Sequence, residues 1–106
     1  MRLFSRRQKA PADAPSTGQR RAEVADHFRD FVATRAGVEA YIEPATPNDP
    51  TTLVLVAKTG EWTRRRVPDE KAARQLAREL SIPIYEVNLT GYPSSMRRWS
   101  AAQRRK

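Results

Sequence analysis

Trp62, Arg64 and Arg66 alternate with Thr63, Arg65 and Val67 along the segment Glu61-Trp62-Thr63-Arg64-Arg65-Arg66-Val67. Successive side chains of a strand point to opposite faces, so the tryptophan and two arginines share one face. A flat aromatic beside two guanidinium groups can stack on a base and clamp phosphates. The same face admits a structural use: Glu39, Tyr41 and Glu43 fall on one side of another strand pattern, and their carboxylates can pair with those arginines across a sheet. A second cationic group, Arg97, Arg98, Arg104 and Arg105 with Lys106, follows Met96, which stands three residues before Trp99. Folded as a helix, that stretch is basic and amphipathic, suited to an acidic groove or, less well given its short apolar face, to anionic lipid. Trp99 then turns either to a partner or back onto the domain.

Residues for catalysis are scarce. A nucleophile needs a base beside it, and the only histidine is His27. No serine stands in a nucleophile elbow. Gly18, Gly37, Gly60 and Gly91 are scattered and form no phosphate-binding loop. Glu23, Asp26 and Asp30 surround His27 at helical spacing, which reads as a solvated face with salt-bridge patterning ahead of a metal site. Glu39 and Glu43 share a strand face roughly 13 Å apart, too far for paired-carboxylate chemistry. Neither an enzyme activity nor a cofactor is expected.

The elements that position these groups follow from periodicity. Residues 1–18 mix Arg, Pro, Ala and Ser without apolar periodicity and read as a disordered basic arm. Val24, Phe28, Phe31 and Val32 form one face of a helix over residues 19–36, closed by Gly37. Residues 38–43 alternate as a half-buried strand, and the prolines at 44, 47 and 50 end it. Residues 52–58 are apolar on both faces, which suits a central strand, and Thr59-Gly60 turns the chain into the arginine-bearing strand. Pro68-Asp69 opens a helix with Ala73, Leu76, Ala77 and Leu80 inside. Residues 82–87 read as a fourth strand, Gly91-Tyr92-Pro93 as a sharp turn, and Ser94 or Ser95 can cap a short final helix. The order α-β-β-β-α-β predicts an α+β two-layer sandwich. Its mixed four-stranded sheet has order 3-2-1-4, with two helices on one face and a right-handed crossover into the fourth strand. The domain spans residues 19–93, flanked by the basic arm and by a basic tail over 94–106.

Charge follows the same division. The formal net charge is +8, with +5 in residues 1–21, −2 in 22–89 and +5 in 90–106. Terminal basic segments point to nucleic acid or an acidic surface, and a solubilising role is the plain alternative. The 106 residues hold no cysteine, which excludes a disulfide framework, a zinc ribbon and a thiol nucleophile. No apolar stretch follows Arg7 as a signal peptide requires, and the longest apolar run, Leu53 to Ala57, is far short of a membrane span. A cytoplasmic binding module is expected. Its expected partner is nucleic acid, RNA or the ribosome ahead of DNA, reached through Trp62, Arg64, Arg66, Arg97, Arg98, Arg104 and Arg105. The rival readings are an adaptor on an acidic protein surface and a small enzyme around His27 and the strand arginines.

Three stretches, Gly37-Val38-Glu39-Ala40-Tyr41-Ile42-Glu43-Pro44, Gly60-Glu61-Trp62-Thr63-Arg64-Arg65-Arg66-Val67-Pro68 and residues 82–93, together resemble a family of small uncharacterised actinobacterial proteins. The resemblance covers roughly residues 22–98 and implies a bacterial cytosol. Some members carry an oxidoreductase label, but this chain has no dinucleotide fingerprint, cysteine or metal cluster to support one. The α-β-β-β-α order is also that of double-stranded-RNA-binding domains, an analogy of topology alone. Their basic cluster opening the second helix is replaced here by Asp69-Glu70-Lys71.

Overall fold

A computed structural model of the protein describes residues 17–105. The arm expected over residues 1–18 lies outside them except for Thr17 and Gly18, which open the first helix. That helix, α1, runs Thr17–Thr34 and buries Phe28 and Phe31, as their spacing requires. Gly37 then adopts φ +63°, the left-handed conformation that favours glycine after a helix. Strands β1 (Glu39–Glu43), β2 (Thr52–Val56) and β3 (Trp62–Arg66) form an antiparallel meander. Helix α2 (Glu70–Glu79) starts where the Asp69 carboxylate accepts from the Ala72 N–H at 2.8 Å. It leads to β4 (Ile84–Glu86), which lies parallel to β1. The sheet order β3-β2-β1-β4 is the predicted one, and the fold is α+β.

The fourth strand is shorter than the pattern implied. Pro83 has no N–H to give a ladder, although its carbonyl accepts from Ala40. From Val87 the chain turns into a single helical turn, α3 (Val87–Thr90), ahead of Gly91.

Register sorts the side chains into two layers. Phe28, Phe31, Ala40, Ile42, Leu53, Leu55, Ala73 and Ala77 form the main core between the sheet and α1 and α2. On the opposite face Tyr41, Val54 and Val56 meet Met96, with Trp62 and Tyr92 packed against them. Met96 belongs to α4 (Ser94–Arg104). The C-terminal segment is thus a helix seated on the sheet, adding partial cover on the side that the two-helix layer leaves open. The physical reason is in β2: Val54 and Val56 are as apolar as Leu53 and Leu55, and a strand apolar on both faces needs both covered. Gly60 permits the close approach of α4. It has φ +97°, and a Cβ there would lie 2.1 Å from the Ser95 carbonyl oxygen.

Candidate nucleic-acid interface

Strand register sets Trp62 opposite Val56 and Arg64 opposite Val54, with Arg66 opposite Thr52. The three therefore share one face, the face that α4 partly covers. The Trp62 indole Nε1 donates to the Ser100 Oγ at 2.8 Å, which ties β3 to α4. Arg64 donates through Nε and Nη2 to the two Glu43 oxygens at 2.7 and 2.8 Å, and its guanidinium carbon lies 5.1 Å from the Trp62 ring centroid. The stacking ring and one of the two clamps are thus engaged within the chain. Glu39 instead accepts from the Tyr41 hydroxyl at 3.0 Å, which helps push that phenol's pKa up to about 12, burial being the larger cause. Arg66 is exposed and makes no ion pair among the described residues.

Glu43 gathers more than Arg64. Thr52 and Tyr92 also donate their hydroxyls to it. Burial pushes the Glu43 carboxyl up, but the donors, Arg64 first, outweigh burial and hold it below the ordinary carboxylate range. The same burial, with the carboxylate as acceptor, raises the Tyr92 phenol. This clasp fixes the entry to α4, because Tyr92 stands two residues before Ser94. Sequence spacing gave no signal for it, since Tyr92 and Glu43 are 49 positions apart.

Helix α4 presents the C-terminal cations. Met96 is buried, and Trp99, Ser100 and Gln103 are half-buried. Arg97, Arg98, Arg104 and Arg105 are all exposed. At 100° per residue Arg98 and Arg105 fall opposite the buried side, whereas Arg97 and Arg104 lie on one flank of it. Arg97 donates to the Tyr92 carbonyl at 3.2 Å and Arg98 to the Ser94 hydroxyl at 3.0 Å, bonds that leave most of each guanidinium free. Trp99 sits against the β2–β3 turn, its Cβ near the position a Gly60 side chain would take. Of the two roles open to it, the domain-facing one is observed.

His27 departs from expectation. Rather than pairing along the solvated face of α1, its Nε2 lies 2.6 Å from the Thr63 Oγ1 of β3. Desolvation, then Arg65, lowers its pKa below the usual histidine value, against the opposing pull of Asp30. A base beside a hydroxyl is half of a nucleophilic dyad, but among the described residues no carboxylate hydrogen-bonds the other ring nitrogen. Nor does any group of three His, Cys, Asp or Glu side chains converge there as metal ligands.

No family model, curated protein or solved structure matches this chain. What the site can do therefore rests on its own chemistry. That chemistry is a docked helix with four exposed arginines on it or at its C-cap, seated by Trp62 and by the Glu43 clasp. No described helix is long and apolar enough to cross a membrane.

Proposed function

We propose that the protein is a non-enzymatic binding module for a polyanion, RNA ahead of DNA, in a bacterial cytoplasm, and that α4 is the surface that meets it. One observation carries the proposal. From Thr17 to Glu86 eleven cations balance eleven acids, whereas from Val87 to Arg105 four arginines stand with no acid at all. All four are exposed, Arg97, Arg98 and Arg104 on α4 and Arg105 at its C-cap. Such a face attracts phosphates without needing a particular sequence, and arginine matches phosphate geometry with a two-pronged fork. Arg66 extends the contact from the end of β3. Trp62 and Arg64 act as positioning residues: they hold α4 and Glu43 in place and so keep the cations on a rigid element. RNA stands ahead of DNA on the shared α-β-β-β-α order, which is analogy. An acidic protein surface remains the rival ligand for the same helix.

Titration of a labelled single-stranded RNA at low salt tests this reading. The full chain is expected to bind, and the variant carrying Arg97→Glu, Arg98→Glu, Arg104→Glu and Arg105→Glu to lose binding. Arg78→Glu, a single reversal of the same kind on the balanced body, is expected to leave binding nearly intact, and Arg98→Glu alone to weaken it. Equal loss in Arg78→Glu and Arg98→Glu would refute α4 as the contact surface.

A further inference from the structure

A groove of about 520 Å³ opens on the far side of the molecule, between α1, the end of β3 and the first turns of α2. Its floor is apolar: Val24 from α1, Val67 after β3, and Ala72 and Leu76 from α2. Val24 and Leu76 are only half-buried against the main core, so apolar surface remains for something else to cover. Arg20, Arg21 and Lys71 line the groove, all exposed and none in an ion pair among the described residues. The two acids present are already engaged. Asp69 caps α2 through the Ala72 N–H, and Glu79 accepts from Gln75.

We propose that this groove receives an acidic amphipathic helix of a partner protein. An apolar floor flanked by two helices suits the apolar stripe of a third, the helix-in-groove mode of recognition. The unpaired cations select for acidic residues on the edges of that stripe. A nucleic acid fits less well, because the floor offers no aromatic ring for a base to stack on. The N-terminal segment of the chain is disfavoured by charge, since residues 1–16 hold four cations and one acid. This inference stands independently of the α4 reading, and the two together describe an adaptor with one face for a polyanion and another for a protein.

The test uses the full chain, isotopically labelled, and a designed peptide with leucines at i, i+3, i+4 and i+7 and glutamates on the flanks. A scrambled peptide of the same composition is the control. Binding is expected to saturate for the striped peptide, with amide shifts centred on Val24, Val67, Ala72 and Leu76. Affinity should fall at least about tenfold in the double variant Arg21→Glu, Lys71→Glu and stay unchanged in Arg97→Glu, Arg98→Glu. Equal binding of the scrambled peptide, or no shift in the groove, overturns the proposal. So does displacement of the peptide by single-stranded RNA from those same residues. Tighter peptide binding by Phe4→Ser would identify the chain's own N-terminal segment as the occupant. Concentration-dependent dimerisation lost in Lys71→Glu would identify a second copy, and either result overturns the assignment to a partner.

Discussion

Glu43 accepts from Arg64 twice, from Thr52 and from Tyr92, so a single carboxylate joins β1, β2, β3 and the entry to α4. Its side chain is 18% exposed and that of Arg64 42%, so the carboxylate is the half-buried member and relies on its donors more than the guanidinium relies on it. Glu43→Gln is therefore expected to cost roughly 1.5–3 kcal/mol in urea denaturation at neutral pH, the range for hydrogen bonds to a charged group. The folded carboxyl sits below its ordinary 4.5, so the unfolded chain binds the proton more tightly than the folded one. The contribution is complete above about that value and is lost as the pH falls through the lower, folded one. The stability gap between the wild-type chain and Glu43→Gln should accordingly narrow in acid. A gap that stayed constant would mean the charge contributes nothing. At this scale the sequence was partly legible: the facing of Glu43 and Arg64 follows from strand alternation, which a one-letter string displays. Tyr92 was not legible, because nothing local says which strand a turn will reach. Nor was the turn of His27 toward Thr63, since helical spacing shows acidic neighbours but not where the helix will be laid on the sheet.

Among the elements, α4 separates what periodicity can deliver from what it cannot. The pairing of Met96 with Trp99 marked one apolar side and the arginines the other, so an amphipathic helix could be read. Its resting place could not, although Val54 and Val56 carried a signal that the sheet's second face needed cover. Gly60 records that docking in the backbone. A Cβ there would meet the carbonyl of Ser95, which belongs to the first turn of α4 and cannot swing aside as a side chain would. Gly60→Ala should cost roughly 3 kcal/mol or more, combining a left-handed backbone with displacement of a helix. Gly91 has φ +71° and ψ 175° with nothing within 4 Å of a built Cβ, so Gly91→Ala should cost the backbone strain alone, about 1–3 kcal/mol. Thermal or urea unfolding of the two variants side by side measures the difference, which is the share owed to α4. Equal losses would show that α4 is not held at this turn.

For the molecule as a whole, the balanced body and the one-signed C-terminal helix predict how binding responds to salt. Each phosphate neutralised on a single strand contributes about −0.7 to the slope of log K against log salt, so four arginines contribute about −2.8. Replacing Arg97, Arg98, Arg104 and Arg105 singly by Gln should flatten the slope by about 0.7 each, alike for RNAs of different sequence. Trp62 separates two accounts of the same face. Were its ring a stacking platform, Trp62→Phe would keep most of the binding and Trp62→Ala would lose roughly 1–3 kcal/mol. With Nε1 given to Ser100, the ring instead holds α4. Trp62→Phe then already loosens the helix, costing about 0.5–1.5 kcal/mol of stability for the lost bond, and weakens RNA binding in step with that loss while the salt slope stays the same. Charge sets the slope and docking sets the order of the cations, so the two variants act on different quantities. A Trp62→Phe chain of full stability and normal affinity would remove the docking role, and a Trp62→Ala chain that also bound normally would remove the stacking one.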